Sequence, residues 1–468
     1  MVFSSAIFLF VFLPVVLIAH TLIRNTTARN VLLIIASLIF YAFGEPVYIV
    51  LLLISVLVNY LFGRILYDHK NRLVLGVAVV LNLMLLVVYK YTGFIVETIN
   101  YIPGVNIPVP SVVMPIGISF FTFQAISYIV DVYRDKVENK AVFFFFFLYI
   151  SLFPQLIAGP IVQYRTVADQ IKERTVTVDK FASGIRRFVV GLSKKMLIAN
   201  TMGYAADKIF ALETGLIDMP LGWLGAVCYT LQIYFDFSGY SDMAVGLGHV
   251  LGFDFPENFN YPYVATGIRD FWRRWHMSLT GWFREYLYIP LGGNRKGKGR
   301  QVLNSMIVFL CTGIWHGANL TFLVWGAFHG VLISIETLFY KKDRPVRKVF
   351  LPIKWLYTIL AVVIGFVIFR ADSLAYGWDY IVKMFSFSVN ESGRMVLMSI
   401  VTPSFIVTLI MSILALCPWV KFIKNKSQGT KAYPVLSCAG YVVTFVLLFM
   451  CVLTLAADSY NPFIYFRF

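Results

Sequence analysis

Long apolar runs recur along this 468-residue chain and leave few folds open to it. They lie at residues 3–19, 31–43, 47–62, 73–89, 112–130, 302–315, 320–339, 355–369, 398–416 and 435–456. An α-helix needs about 20 mostly apolar residues to cross the hydrocarbon core of a bilayer, and shorter runs can be tilted, broken or buried helices. The sequence therefore predicts an all-α integral membrane protein, a polytopic bundle of about eleven transmembrane helices.

The composition agrees with this prediction, since 59% of the residues are hydrophobic and only 14% are charged. A soluble domain is about half apolar and about a quarter charged. We see no soluble domain, low-complexity linker or fixed repeat, so residues 1–468 are expected to form a single membrane-embedded domain. The five cysteines lie in or beside apolar runs without the spacing of a metal site or a disulfide framework, and no metal is expected.

The chain carries 40 Lys and Arg against 24 Asp and Glu, which gives a net charge of +16. These basic residues cluster in short loops between apolar runs, a pattern that the positive-inside rule explains better than nucleic-acid binding does. We therefore expect contacts with membrane lipids, no nucleic-acid partner, cytoplasmic basic loops and two extracytoplasmic termini. The first run lacks a basic start and a small-residue cleavage site, so it is predicted to be a permanent helix and not a cleaved signal.

Residues 141–163 combine a run of phenylalanines with residues that break helices. Pro154 and the Gly159-Pro160 pair interrupt any helix here, and basic residues flank both sides. The pattern predicts a broken, re-entrant segment that enters and leaves by the cytoplasmic face. Irregular backbone at membrane depth is tolerated only where it is buried in protein or lines a cavity.

Residues 232–248 place several polar side chains inside an apolar segment, among them Asp236 and Ser238. Facing lipid would be costly for such groups, so they should face the interior. Two interpretations remain open. The polar groups either hydrogen-bond helices together or line a substrate path, and in the second case Asp236 and Ser238 bind substrate.

Residues 268–300 are dense in Trp, Arg and Tyr, and end in a strongly basic stretch. Aromatic and cationic side chains suit the headgroup level of a membrane, and arginine guanidinium groups bind phosphate well. Arg273 and Arg274 are therefore candidate donor-binding residues for a polyanionic cytosolic ligand. The alternative is an interfacial helix that only anchors the chain.

Two histidines, His276 and His316, are the candidate catalytic residues. Ionisable groups at membrane depth are expensive, and the ordinary pKa of histidine lies closest to neutrality. No P-loop, GxGxxG, HExxH or GxSxG motif is present, which removes the usual basis for nucleotide, redox or zinc-protease chemistry. Acyl transfer from a thioester to a hydroxyl needs mainly a base and correct placement. Trp315 and Asn319 would give a shaped, partly polar wall beside His316, and Gly317 would permit close backbone approach.

Three motifs follow one another between Arg269 and Gly317. They read Arg-Asp-Phe-Trp-Arg-Arg-Trp-His-Met-Ser-Leu at 269–279, Tyr-Ile-Pro-Leu-Gly-Gly-Asn at 288–294 and Trp-His-Gly at 315–317. Together with residues 153–160 and 234–242, they closely resemble the membrane-bound O-acyltransferase family. The branch looks like the membrane component of alginate and related polysaccharide O-acetylation systems.

This resemblance implies tilted helices around a central tunnel, with interfacial helices beside it. A cytoplasmic donor, acetyl-CoA, would reach the histidines from one side and an acceptor from the other, with no tightly bound cofactor. An extracytoplasmic SGNH-hydrolase-like acetyltransferase would then acetylate a polysaccharide, and the location would be the bacterial cytoplasmic membrane. By resemblance, His316 matches the principal catalytic histidine of the family, and His276 matches the second histidine or nearby polar residue. From the residues themselves we expect His316 to be the base and His276 to have a positioning or donor-contact role, the alternative for His276 being a headgroup-level histidine.

The stretch 457–468 forms a predicted extracytoplasmic C-terminal tail that ends Asn-Pro-Phe-Ile-Tyr-Phe-Arg-Phe. It resembles the C-terminal aromatic-tyrosine motif of the small partner in teichoic-acid D-alanylation, where the tyrosine hydroxyl is thought to carry the acyl group. The resemblance implies that Tyr465 is a third catalytic residue, an acyl relay. The alternative is an aromatic belt at the membrane interface.

Two other functions remain open at this point. A D-alanyl transfer protein of teichoic-acid modification would take its acyl group from a carrier protein and not from CoA. A polysaccharide or lipid transporter would have no chemistry of its own, and it predicts paired discontinuous helices in two similar halves.

Overall fold

The computed structural model describes residues 1–137, 142–339, 348–457 and 460–464. Within those ranges the chain forms helices and connecting segments and no β-strand, which confirms the all-α prediction. The chain divides into two compact units. The first comprises Met1–Phe188 and Tyr240–Glu257, and the second Val189–Gly239 and Asn258–Phe468.

Twenty-two α-helices are described. The chain passes from one unit to the other within α10, within α12 and after Glu257. The first ten helices are α1 Leu13–Leu22, α2 Thr26–Gly44, α3 Ile49–Asp68, α4 Arg72–Leu86, α5 Thr92–Ile99, α6 Ile118–Tyr133, α7 Phe143–Ser151, α8 Phe153–Leu156, α9 Tyr164–Lys172 and α10 Val178–Ser193. The later helices are α11 Asn200–Phe210, α12 Met219–Leu251, α13 Ile268–Arg274, α14 Met277–Phe283, α15 Gly297–His316, α16 Leu320–Phe339, α17 Leu351–Arg370, α18 Leu374–Met384, α19 Glu391–Ile400, α20 Pro403–Ala415, α21 Trp419–Ser427 and α22 Ala432–Ala456.

Six helical stretches among the described residues are long and apolar enough to cross a membrane. They are Thr26–Gly44, Ile49–Asp68, Arg72–Ile99, Leu320–Phe339, Leu351–Arg370 and Ala432–Ala456. A seventh span arises if α19 and α20, which meet at a bend of 79°, count as one broken span. The chain is thus a multi-pass membrane protein, whereas the predicted count of about eleven crossings is not confirmed.

The difference in count has a physical origin in three predicted runs. The runs at 3–19 and 112–130 become the shorter apolar helices Phe8–Leu22 and Ile118–Tyr133. The run at 302–315 lies in α15, whose first turn is Gly-Lys-Gly-Arg. Apolar composition alone measures the tendency of a segment to enter lipid and does not fix the length of its helix.

The first unit contains the break predicted within residues 141–163. Helix α7 ends at Ser151, and Leu152 leaves the helical conformation with ψ at 111°. Pro154 then lies in the first turn of α8, where its missing N–H is tolerated. Residues 152–161 are buried in protein, as irregular backbone in a membrane protein requires.

The second unit contains an unusually close contact between α15 and α16, at Gly313 and Gly326. A Cβ atom at Gly313 would lie 2.4 Å from the carbonyl oxygen of Phe322, and one at Gly326 would lie 2.4 Å from that of Phe309. Small residues let membrane helices pack backbone against backbone in this way. The contact fixes the position of the C-terminal turn of α15, which ends at His316.

Candidate functional site

The two candidate histidines line the same narrow cavity of the second unit, which has a volume of about 20 Å³. The remaining lining is apolar and comes from α12, α13–α14, α16, α17 and the segment before Tyr465. Its residues are Ile233, Phe237, Trp275, Trp325, Phe366, Phe369 and Ile464. The structure thus brings His276 and His316 together in a mainly apolar cavity.

His276 lies at the junction of α13 and α14 in an uncommon backbone conformation. Its φ of 44° and ψ of 54° are left-handed, which is uncommon for a residue with a side chain and is strained by about 1–3 kcal/mol. Both carboxylate oxygens of Glu336 on α16 accept the N–H groups of Ile268 and Arg269, which anchors the start of α13. The strained turn directs the imidazole inward, where the residue is 2% exposed.

The side chain of Asn258 determines which nitrogen of His276 carries the proton. Asn258 Oδ1 lies 3.0 Å from His276 Nδ1 and also accepts hydrogen bonds from the N–H and hydroxyl of Ser278. An oxygen that accepts these two bonds acts as an acceptor towards Nδ1 as well, so Nδ1 holds the proton in the neutral ring. His276 Nε2 is buried and has no hydrogen-bond partner among the described residues, so its lone pair is available in the cavity.

His276 lies outside the candidate membrane spans. Burial, and secondarily the proximity of His316, holds the pKa of its imidazole well below the ordinary value. The side chain is therefore neutral near pH 7, as an acceptor of a proton or hydrogen bond must be.

His316 is the last residue of α15, and three aromatic rings surround it. Its ring centroid lies 5.0 Å from that of Trp315, 5.2 Å from Trp325 and 5.1 Å from Phe369. The ring of Trp315 lies 6.1 Å from His276 as well, so this side chain is near both histidines. Gly317 follows directly, and a Cβ there would lie only 2.1 Å from the ring of Phe322. The close approach expected at Gly317 is confirmed.

Asp236 on α12 does not line the cavity but forms a buried ion pair with Lys195. The Nζ of Lys195 lies 3.0 Å from Asp236 Oδ1, and the two side chains are only 4% and 2% exposed. Asp236 Oδ2 accepts the N–H of Ile464 at 2.7 Å, and Lys195 donates to the carbonyl of Pro462. Asp236 thus contacts the chain segment that enters the cavity.

Ser238 and Asn319 also lie apart from the cavity lining. Ser238 lies two residues after Asp236 on α12 and is buried. Its hydroxyl has no hydrogen-bond partner among the described residues. Asn319 precedes α16, where its Oδ1 accepts the N–H of Thr321 and its Nδ2 donates to the carbonyl of Asp372. Both polar groups of Asn319 therefore serve the local structure.

Arg273 and Arg274, at the end of α13, do not line the histidine cavity. Arg273 is exposed, whereas Arg274 bonds Asp270 and the carbonyl of Asn260. Arg274 lines a second depression of about 350 Å³, which we call the basic groove. It is lined by Asn260, Tyr261, Val264, Arg274, Pro418, Lys421, Phe422 and Asn425.

The basic groove and the histidine cavity share one short stretch of paired backbone. The N–H of Asn260 donates to the carbonyl of Arg274 at 2.9 Å, and the N–H of Met277 donates to that of Asn258 at 2.9 Å. Asn260 lines the groove, whereas Asn258 holds His276. The pairing of residues 258–260 with residues 274–277 therefore joins the two sites.

Tyr465 lies outside the described residues, although Ile464, directly before it, lines the cavity. Sequence reasoning did not identify Asn258 or Lys195. Asn258 acquires its role from a loop pairing that periodicity does not show. Lys195 offered a signal, since a lysine in the apolar stretch 188–199 is unusual in a membrane protein.

Comparisons with known proteins agree with the motifs described above. The sequence profile of the membrane-bound O-acyltransferase family matches residues 52–378. The probable alginate O-acetylase of Pseudomonas putida is 41% identical, with all of both chains covered. The peptidoglycan O-acetyltransferase of Helicobacter pylori is 32% identical over all of this chain and 98% of the relative. The teichoic acid D-alanyltransferase of Bacillus subtilis is 31% identical over 56% of this chain and 69% of the relative. The chain therefore belongs to the membrane-bound O-acyltransferase family and is an O-acyltransferase.

Proposed function

We propose that this O-acyltransferase transfers an acetyl group from cytosolic acetyl-CoA across the membrane for O-acetylation of an extracytoplasmic polysaccharide. The observation that carries the proposal is the placement of two histidines and Ile464 around one cavity. Full-length similarity to an alginate O-acetylase and a peptidoglycan O-acetyltransferase supports a polysaccharide acceptor. Family membership favours this enzymatic function over the transporter alternative.

In the proposed reaction, an acceptor hydroxyl attacks the thioester carbonyl of acetyl-CoA. His316 takes the hydroxyl proton as the new C–O bond forms, and the C–S bond then breaks. The CoA thiolate leaves and receives that proton from His316. The products are an acetyl ester and free CoA, and His316 returns to its neutral state.

His276 has a complementary part in this proposal. Because Asn258 holds the proton on Nδ1, the Nε2 of His276 offers a hydrogen-bond acceptor to the cavity. Such an acceptor suits the amide N–H groups of the pantetheine arm of CoA or the attacking hydroxyl. His276 would therefore hold a reactant in place while His316 moves the proton.

The basic groove supports CoA as the donor. Arg274 and Lys421 supply cationic groups for phosphates, while Tyr261 and Phe422 supply rings on which a base can stack. Its volume of about 350 Å³ lies within the usual range for small-molecule sites. The basic residues of this region belong on the cytoplasmic side by the positive-inside rule, where acetyl-CoA is available.

The segment 460–464 supports an acyl relay through Tyr465. Ile464 lines the cavity, and Tyr465 is the next residue in the sequence. Its hydroxyl is the proposed acceptor of the acetyl group. We further propose that both termini lie outside the bacterial cytoplasmic membrane and that an extracytoplasmic SGNH-hydrolase-like acetyltransferase receives the group from the tyrosine.

A comparison of two labelled donors tests the proposed function. Purified protein in lipid vesicles is expected to become labelled by [¹⁴C]acetyl-CoA and not by a D-alanyl carrier protein. Lys421→Ala should raise the KM for acetyl-CoA several-fold with kcat little changed, because it removes a phosphate contact that is the same in the ground and transition states. The measurement is the initial rate of transfer against donor concentration.

Lys424→Ala on the same helix is the matched control, since Lys424 does not line the basic groove. Its KM should equal that of the unaltered protein. Labelling by the D-alanyl carrier alone would replace the acetyl proposal with the D-alanyl alternative, which the Bacillus subtilis relative favours.

Asn258→Leu is expected to lower the rate of acyl transfer about ten- to a hundred-fold, the usual effect of losing a partner that orients a functional histidine. The variant keeps the approximate size of the side chain but removes the acceptor for His276 Nδ1, so the imidazole no longer favours one tautomer. Asn258→Asp keeps an acceptor and should retain more activity. Equal rates for Asn258→Leu and the unaltered protein would contradict the role of Asn258.

A further inference from the structure

A buried ion pair of the second unit also forms hydrogen bonds with the main chain of another segment. Lys195, in the segment Lys194–Ala199 before α11, and Asp236, in the middle of α12, form the pair. Burial of two charges is favourable only when other hydrogen bonds satisfy the remaining capacity of both groups. Here residues 460–464 supply those bonds.

The ion pair contacts this segment at two backbone atoms. Asp236 Oδ2 accepts the N–H of Ile464 at 2.7 Å, and Lys195 donates to the carbonyl of Pro462. Asn200 adds a hydrogen bond from its Nδ2 to Asn461 Oδ1 at 3.2 Å. The side chains of Phe463 and Ile464 are each 4% exposed, so the segment is buried where these contacts form.

We propose that the Lys195–Asp236 pair is a docking site for the main chain of residues 460–464. A carboxylate that accepts an N–H, next to an ammonium that donates to a carbonyl two residues earlier, matches the alternating polarity of an extended peptide. The site therefore determines which residue of the segment stands at the cavity. Ile464 is in the lining, and the next residue in the sequence is Tyr465.

In this docking site Asp236 binds a segment of its own chain, which differs from the two roles that its sequence left open, helix packing and substrate contact. Its consequence for catalysis, the presentation of Tyr465, rests on the proposed function, whereas docking itself does not. Ile464 also packs in the hydrophobic cluster of the second unit, so both polar and apolar contacts hold the segment in the site.

Hydrogen–deuterium exchange measured by mass spectrometry tests the docking in the full chain in lipid nanodiscs, without a donor. The peptide that contains Ile464 is expected to exchange slowly in the unaltered protein and at least ten-fold faster in Asp236→Asn, because the N–H loses its charged acceptor. Thermal unfolding verifies that the variant is folded. The double variant Lys195→Met/Asp236→Leu, which leaves no unpaired charge, should show the same fast exchange.

Asp218→Asn is the matched control, because Asp218 is equally buried and accepts N–H groups from Leu221 and Asn390 instead. It should leave exchange at Ile464 unchanged. Slow exchange at Ile464 in both Asp236 variants, or fast exchange in the unaltered protein, would overturn the docking site. Normal docking without acetylated Tyr465 would instead contradict the acyl relay, so the two failures are distinguishable.

Discussion

The substitution His316→Ala is expected to lower the rate of acetyl transfer by about 10²–10⁴-fold, the usual contribution of a positioned general base. The imidazole of His316 lies in a mainly apolar cavity. His276 is the one other ionisable residue among those described in its lining. Apart from His276, none of the described lining residues can take the hydroxyl proton at neutral pH. The measurement is the initial rate with labelled acetyl-CoA, using protein that elutes as a single species.

The control for this substitution is His249→Ala. His249 lies near the end of α12, in the first unit, and does not line the cavity. This variant should retain the rate of the unaltered protein. A His316→Ala protein that unfolds at the normal temperature and still transfers acetyl groups at more than a tenth of the normal rate would remove His316 from the mechanism.

The substitution Tyr465→Phe is expected to abolish acetyl transfer to the outer acceptor, because it removes a single hydroxyl oxygen, the proposed nucleophile. Phenylalanine preserves the ring, so any packing or membrane-anchoring role of the side chain is kept. Mass spectrometry of the unaltered protein after incubation with acetyl-CoA should show an added acetyl group on the peptide that contains Tyr465. The same peptide of the variant should carry none.

Tyr441→Phe is the control for Tyr465→Phe, because it removes the hydroxyl of a tyrosine at an exposed position of α22. We expect it to transfer acetyl groups normally. If Tyr465→Phe does the same, the segment serves as an aromatic anchor at the membrane interface, which is the alternative that its sequence left open.

The fold was predictable where apolar composition alone decides the structure. The run at 320–339 has the bounds of α16, and the runs at 355–369 and 435–456 lie within α17 and α22. The run at 398–416 was less informative, since α19 and α20 bend by 79° between Ile400 and Pro403. Hydrophobicity records the preference of a segment for lipid, whereas the direction of its backbone depends on a local break such as Thr402-Pro403.

The candidate site was predictable in its ionisable groups but not in their partners. Motifs identified His276 and His316, and the structure places both at one cavity. The acceptor Asn258 comes from a loop whose pairing with residues 274–277 is a tertiary contact, so spacing along the chain could not reveal it. Asp236 was correctly identified as a buried polar group, but its partner Lys195 lies 41 positions earlier in the sequence.

No side chain fits between α15 and α16 at Gly313 and Gly326, so these two positions can hold only glycine while the helices keep this spacing. Ile233 and Phe366 line the cavity with side chains that can be replaced, and we expect their size to decide which acyl chains are accepted. Directed evolution towards propionyl or butyryl donors should accordingly randomise those walls and retain both glycines.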